Sequence, residues 1–291
     1  MAASPRYRGG RRALRRPFCY LCDMKLVVLL RHPARAELAA AALAEASGLP
    51  LAEARMRLAP EPPALLARLQ GEQADALVGA LRRGGLTVLA IQAPCPTDRD
   101  RMVVRRFMLG MAGATFTSRS GDTLQFTWAE VTALLRGSRA LRTDVEREER
   151  SRGFSPVRAI ATGGLLNSRT TSRTVRTSNE EVEQVLLLYL RDGRAAALAE
   201  QELEFSCLGP AMQPSHAGNM AELGRRLREH APGAFYDERL LRLGRRPLPF
   251  LAGKDSRSET ATSVTTRSDT SESLDVLAEA LRQGVAEGFL P

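Results

Sequence analysis

The sequence predicts an α+β protein with two small folded units, and three observations support this class. The chain has 291 residues, which is enough for two domains of ordinary size with tails. Hydrophobic residues make up 44% of it, enough to fill two cores. Short apolar runs alternate with helix-forming stretches over residues 26–92, whereas residues 107–245 carry paired strand patterns with tight turns. We therefore expect a mixed helix-and-strand unit followed by a β-rich unit.

The first unit, residues 24–93, shows a regular succession of elements. Continuous apolar runs are typical of buried strands, and prolines and glycines separate them from the helix-forming stretches. We expect Leu38 and Leu51 on the buried faces of the first two helices. One three-stranded sheet with helices packed on one face would bury these residues. The predicted elements are a strand at 26–30, helices at 34–46 and 51–58, a strand at 64–69, a helix at 72–83 and a strand at 86–91.

A motif between the first two predicted helices carries a family resemblance. Residues 48–55 read Gly-Leu-Pro-Leu-Ala-Glu-Ala-Arg, and the C-terminal domain of the bacterial ribosomal stalk protein has the form Gly-Leu-x-Leu-x-Glu-Ala-Lys there. The proline-led strand at 63–69 and the Gly84-Gly85 pair before the last strand also match. Residues 26–92 thus resemble that domain, in a small β-α-α-β-α-β sandwich. The Clp protease adaptor shares this fold and is the next-best match.

The resemblance implies a protein-docking domain that does no chemistry. In the family, the first two helices form a lysine-rich face that recruits translation GTPases. This chain differs there, because Ala52 and Arg55 stand at the two lysine positions of the motif and the first helix has only Arg35. Arginine and lysine do not bind alike. We therefore expect Glu53, Arg55 and Arg35 to contact an unidentified protein partner rather than a translation factor.

The second unit is predicted to be β-rich and to span residues 107–245, after a linker at 94–106. Ser120-Gly121-Asp122 and Asp192-Gly193 are tight-turn sequences between alternating runs, which indicates two hairpins. An amphipathic helix is expected at 220–230. Paired strands that end in a helix resemble a pleckstrin-homology-like barrel, in topology alone.

A basic segment at residues 150–178 is predicted to be a loop. It contains six arginines, ten serines or threonines and no acidic residue. Arginines that neutralise phosphates add salt-sensitive affinity, so RNA or an anionic surface is a second partner hypothesis. No aromatic side chain that could stack on bases lies between residues 158 and 176, which disfavours single-strand recognition. The candidate nucleic-acid contacts are Arg158, Arg169, Arg173 and Arg176.

The C-terminal region divides into two parts. Residues 246–273 are rich in serine and threonine and poor in apolar residues, which predicts a disordered linker. Residues 274–291 carry Leu274, Leu277 and Leu281 at near-helical spacing and predict a short amphipathic helix. Such a helix either folds back on the protein or docks in a partner's groove.

Residues 1–23 form a basic leader that supplies +5 of the net charge of +9. Met24-Lys25 precedes a clean strand at 26–30, and a natural start at Met24 would make this leader a non-native extension. A twin-arginine export signal at Arg15-Arg16 is the alternative, although its apolar stretch would contain Asp23. Cys19-x-x-Cys22 has metal-ligand spacing but no further ligands nearby, so no metal is predicted.

Candidate catalytic groups are few, and no catalytic residue or cofactor is predicted. Histidine phosphatases place Arg-His-Gly after their first strand, where this chain has Arg31-His32-Pro33; its other histidines lie in the second unit. Three hypotheses follow: a non-enzymatic protein-binding adaptor, an RNA- or ribosome-associated protein, and a phosphohydrolase. No transmembrane segment is expected, because no apolar run reaches 18 residues. Cys95 and Cys207 are expected to be reduced thiols in the cytoplasm.

Overall fold

The computed structural model describes residues 24–154, 168–251, 256–260 and 263–291. These residues form a mixed α+β fold, with 33% helix and 38% strand, in which the larger sheet curls into a half-barrel. The α+β class predicted from the sequence is confirmed at this level. The basic leader with Cys19 and Cys22, and Arg158 of the basic segment, lie outside the described residues.

The first unit has the predicted order of elements, β-α-α-β-α-β. Its elements are β1 (Met24–Leu29), α1 (Ala36–Ser47), α2 (Leu51–Leu58), β2 (Ala64–Gln70), α3 (Gly71–Arg83) and β3 (Val88–Gln92). Strand β1 lies between β2 and β3 and is antiparallel to both. Helix α1 ends at Gly48, whose φ of 68° is a left-handed conformation that glycine adopts without a steric cost.

The two faces of this sheet are both buried. Alternate residues of β1 point to opposite faces. Val27 and Leu29 pack against helices α1 to α3, as the sequence predicted. Leu26, Val28 and Leu30 pack in a second cluster that contains two residues of the C-terminal helix. The first unit is therefore covered on its second face by a segment about 180 residues later in the chain.

The second sheet contains nine strands in the described part of the chain. Its strands are β4 (Met102–Leu109), β5 (Gly113–Ser118), β6 (Thr123–Thr127), β7 (Val131–Phe154), β8 (Ser168–Leu190), β9 (Ala195–Ala199), β10 (Phe235–Asp237), β11 (Ser256–Glu259) and β12 (Ser263–Asp269). They are ordered β11-β12-β7-β8-β9-β4-β5-β6, and β10 pairs with β7. The two predicted hairpins are present as β5–β6 and β8–β9.

Helices cover both faces of the second sheet. They are α4 (His216–His230), the short α5 (Leu240–Leu243) and α6 (Ser271–Ala286). Met220, Leu223 and Leu227 of α4 pack into one core cluster, and α6 packs with Leu187 and Tyr189 in another. None of the described helices has the length and apolar character needed to cross a membrane.

Helix α6 lies between the two sheets and joins the units. Leu274, Leu277 and Leu281 pack on the second sheet. Val276 and Ala280 pack on the first. Of the two alternatives for the C-terminal helix, the structure shows the one in which it folds back. Its burial on two sides explains why all residues from 273 to 281 are buried.

Two strands lie within residues 246–273, which were expected to be a disordered linker. β12 pairs antiparallel with β7 over residues 141–147, and β11 pairs with β12. Serine and threonine carry no strong apolar signal, but their backbone groups are satisfied at the available edge of β7. The prediction failed because that edge lies more than 100 residues earlier in the chain.

Two other predicted boundaries also require correction. The basic segment 150–178 was expected to be a loop, but 150–154 and 168–178 belong to the long β7–β8 hairpin. The linker expected at 94–106 ends early, because β4 begins at Met102 and Arg101 is buried. In both places the polar sequence predicted irregular backbone where the backbone is ordered. Sheet hydrogen bonds do not depend on apolar side chains, so such strands give no apolar pattern.

Candidate protein-docking surface

Helices α1 and α2 expose three large apolar side chains and are joined by an ion pair. Leu38 is 58% exposed, Met56 74% and Leu51 41%. Arg55 of α2 binds Glu37 of α1, with its Nη2 at 2.5 Å from Oε2 and its Nε at 3.1 Å. Leu38 follows Glu37 and Met56 follows Arg55 in sequence. We call these four residues the α1–α2 face.

Packing against α3 sets the rotation of α1, and the sequence predicted it incorrectly. The buried residues of α1 are Ala39, Ala40 and Leu43, whereas Leu38 points to solvent. Because α1 is rich in alanine, several of its faces are equally apolar and periodicity does not select one. The residue after α3 lies close to α1, since a Cβ added to Gly84 would be 2.7 Å from the Ala42 Cβ. Small residues therefore face the interior.

Helix α2 presents the remainder of the motif that carries the family resemblance. Its buried residues are Ala54 and Leu58, while Leu51, expected inside, is partly exposed. Glu53 binds Arg57 one turn later at 2.6 Å. Arg57 also donates to the Leu66 carbonyl of β2 at 3.0 Å. Glu53 thus fixes α2 to the sheet through Arg57, which is a positioning role.

The three predicted protein-contact residues have different surroundings. Arg55 is exposed and binds Glu37 across the two helices. Glu53 is half-buried by its contact with Arg57, and Arg35 is exposed at the residue preceding α1. An exposed pair such as Arg55–Glu37 contributes at most about 1 kcal/mol to stability. Its guanidinium and carboxylate are therefore accessible to a partner at little cost to the fold.

The structure describes the backbone of three of the candidate nucleic-acid contacts, Arg169, Arg173 and Arg176, which all belong to β8. Arg169 and Arg173 pair in register with Gly153 and Glu149 of β7. Arg176 forms an ion pair with Glu146. Residues three apart in a strand point to opposite faces, so Arg173 and Arg176 lie on different sides of the hairpin. The structure brings these arginines onto one strand but not onto one surface.

A buried charged cluster lies where the two units meet. Arg101 donates from Nη1 to Asp275 Oδ1 at 2.5 Å and from Nη2 to the Pro96 carbonyl at 2.6 Å. Arg139 donates to Asp98 and Glu183. Burial raises the pKa of Asp275 to about 6, although Arg101 acts against the rise. Each charge has an opposite partner, which identifies the cluster as a structural junction.

Groups that could serve catalysis lie in separate places. Arg31 and His32 are exposed after β1. His230 stacks on Trp128 with ring centroids 4.7 Å apart, and His216 packs near Phe205. Burial raises the pKa of the Cys95 thiol to about 12, so it stays protonated at neutral pH and is a poor nucleophile.

Comparison of the chain with protein-family models, curated proteins and solved structures found no match. What the chain binds must therefore be inferred from its own surface. The α1–α2 face offers exposed apolar side chains with charges of both signs, which is the chemistry of a protein interface. The sequence missed Leu38 and Met56 as candidates, because exposure depends on helix rotation.

Proposed function

We propose that the protein is a non-enzymatic adaptor that binds a protein partner through the α1–α2 face. The observation that carries this proposal is the exposure of Leu38 and Met56 beside the Glu37–Arg55 pair. Both faces of the first sheet are covered, and the outer sides of α1 and α2 belong to the exposed surface of the unit. Contiguous exposed apolar patches rimmed by polar residues mark interaction sites, and Leu38 and Met56 contribute to one in this proposal.

The fold of the first unit supports a docking role. Its β-α-α-β-α-β order is the one that the resemblance to the ribosomal stalk C-terminal domain implies. We therefore also propose that the first unit is related to the ribosomal stalk C-terminal domain. The partner differs from a translation GTPase, because Arg55 is neutralised by Glu37 and Ala52 carries no charge. A partner with an apolar pocket and charges of both signs fits this surface.

In this proposal the second unit has a structural role. Its curled sheet, with α4 packed on one face and α6 on the other, supports the proposal that this unit has a pleckstrin-homology-like fold. We place the protein in the cytoplasm, since Cys95 and Cys207 are free thiols. Helix α6, which packs on both sheets, connects the unit that carries the α1–α2 face to the second unit.

Affinity capture with the full chain tests the proposal. Partners should be recovered from a nuclease-treated lysate by the wild-type chain. Leu38→Ser and Met56→Ser should each lower recovery about tenfold, because truncation of a central interface side chain costs about 1–2 kcal/mol. Met111→Ser is the matched control, since Met111 is 97% exposed but belongs to the second unit.

Three results would contradict parts of this proposal. If nuclease treatment removed all recovery, RNA contact through the arginines of β8 would be the better explanation. If Leu38→Ser, Met56→Ser and Met111→Ser all recovered partners as well as the wild type, the α1–α2 face would not be the docking surface. Phosphatase activity abolished by His32→Ala would replace both binding functions with an enzymatic one.

A further inference from the structure

A cavity of about 400 Å³ lies between the first sheet and helix α6. Pockets that hold small organic ligands have volumes of about 300–1,000 Å³, so this one has room for a small molecule. The first sheet provides one wall, α6 provides another, and the segment after β3 closes a third side. We call this space the junction cavity. Its lining includes Leu26, Arg68, Leu251, Glu272, Asp275 and Val276.

The register of the first sheet directs Arg68 into the junction cavity. Leu26 of β1 and Arg68 of β2 are directly opposite each other. Residues paired in this way have their side chains on the same face of the sheet. Leu26 packs in the cluster that contains Val276 of α6, so Arg68 lies on the face that α6 covers. Its Nη1 donates to the Phe250 carbonyl at 3.4 Å, and the described residues provide no carboxylate partner for it.

Helix α6 supplies carboxylates on the opposite wall. Glu272, Asp275 and Val276 are spaced i, i+3 and i+4, so they lie on one face of the helix. Val276 packs on the first sheet, which directs this face toward the junction cavity. Asp275 is 8% exposed, and its Oδ1 accepts from Arg101 Nη1 at 2.5 Å. Among the described residues, none donates a hydrogen bond to Asp275 Oδ2 or to the Glu272 carboxylate.

The charges of the junction cavity that lack a protein partner are one cation and one anion. Arg101 balances Asp275, which leaves Arg68 and Glu272. In the part of the chain that the structure describes, no ion pair joins Arg68 to either carboxylate, so space for a ligand separates them. Arg68 and Glu272 are both partly exposed, so a molecule can reach them from solvent.

The rest of the wall restricts the chemistry of a ligand. Leu26, Leu251 and Val276 make it apolar, so the ligand should have an apolar body. A nucleotide does not fit, because its phosphates would meet the carboxylates of α6. An apolar α-amino acid carries one ammonium group, one carboxylate and an apolar side chain. These three groups match the three kinds of wall.

We propose that the junction cavity binds a free apolar α-amino acid. The ammonium group donates to Glu272 and to Asp275 Oδ2, and the carboxylate accepts from Arg68. The side chain packs against the apolar wall. The first sheet and α6 each provide one half of the site, so the ligand stabilises the contact between them. The site lies on the opposite face of the first sheet from α1 and α2, and it is independent of the docking function proposed for the α1–α2 face.

Calorimetric titration of the full chain with L-leucine tests the proposal. L-leucine should bind with a dissociation constant below about 1 mM. Glycine has the same charges without the apolar side chain, and it should bind at least about tenfold more weakly because less apolar surface leaves water. Leucinamide lacks the carboxylate and 4-methylpentanoate lacks the ammonium group, so each should also lose about tenfold or more. Competition against L-leucine measures these weaker affinities.

Two variants assign the charged groups of the ligand to residues. Arg68→Gln should weaken L-leucine binding about tenfold and leave leucinamide binding unchanged, because leucinamide has no carboxylate. Glu272→Gln should weaken both of these ligands about tenfold and leave 4-methylpentanoate binding unchanged. Arg83→Gln and Glu45→Gln are the matched controls, since both residues are exposed on helices that pack on the other face of the first sheet. Circular dichroism checks that every variant keeps the fold.

The results that would overturn this site are distinct. Absence of binding by L-leucine, L-methionine and L-phenylalanine at about 10 mM excludes an amino-acid site. Leucinamide that binds as tightly as L-leucine excludes a role for the carboxylate, and it would assign the cavity to the amino terminus of a peptide. Equal affinities for glycine and L-leucine exclude the apolar wall. Wild-type affinity for L-leucine in both Arg68→Gln and Glu272→Gln would place its binding elsewhere.

Discussion

Removing one partner of the Arg101–Asp275 pair should lower the free energy of unfolding by about 3 kcal/mol. Asp275→Leu leaves the Arg101 guanidinium, whose side chain is 1% exposed, without its shortest carboxylate contact. Removing one partner of a buried pair costs about 3–5 kcal/mol. The lower end applies, because Asp98 stays 3.6 Å from the same Nη1 and the Pro96 carbonyl still accepts from Nη2.

A double replacement provides the control for this prediction. Arg101→Met combined with Asp275→Leu removes both buried charges and also the Arg101 Nε, which has no hydrogen-bond partner. The double variant should return to within about 1 kcal/mol of the wild type.

Urea unfolding at pH 7.5 measures the free energy of unfolding of the wild type, Asp275→Leu, Arg101→Met and the double variant. A domain of ordinary stability, about 5–15 kcal/mol, stays folded after a loss of this size. The reasoning fails if Asp275→Leu costs under about 1 kcal/mol, or if the double variant is as unstable as the two single losses added together.

Three further predictions concern helix α6 and its contacts. Burial raises the pKa of Asp275 from 3.8 to about 6, so ionisation of this carboxyl lowers the free energy of unfolding as pH rises from about 4 through 6, although the carboxylate so formed still pairs with Arg101. Asp275→Asn should flatten that part of the stability profile in urea titrations at pH 4 to 7; an unchanged slope contradicts the raised pKa. Gly137→Ala places a Cβ 2.5 Å from Leu274 Cδ1 and should lower the free energy of unfolding by about 1–3 kcal/mol, seen as a lower melting temperature. Val276→Asp buries a carboxylate between α6 and the first sheet, so hydrogen exchange should accelerate in β1 and β3 more than in α4. Uniform acceleration would show that the two units unfold together.

Helix and strand order in the first unit could be read from residues close in sequence. The apolar run of β1, the alanine-rich α1 and the stop at Gly48 are local signals. They depend on backbone propensity and on periodicity within about ten residues. For that reason the β-α-α-β-α-β order agreed with the structure, as did the two hairpins of the second unit.

The candidate docking site was only partly accessible to sequence reasoning. Arg55 was identified through its place in the motif, and it lies on the exposed surface of α2. Leu38 and Met56 were not identified, because their exposure depends on how α1 and α2 rotate against α3. Hydrophobic periodicity does not fix that rotation when most residues of a helix are alanine.

The sequence by itself determined the local elements of this protein, because caps, turns and apolar periods act between neighbours. Tertiary structure decided which surfaces those elements cover. Helix α6 fills the second face of a sheet that begins at Met24, and the polar strands β11 and β12 extend β7. Both outcomes rest on contacts more than 100 residues apart, where burial and backbone hydrogen bonds are satisfied only by the assembled fold.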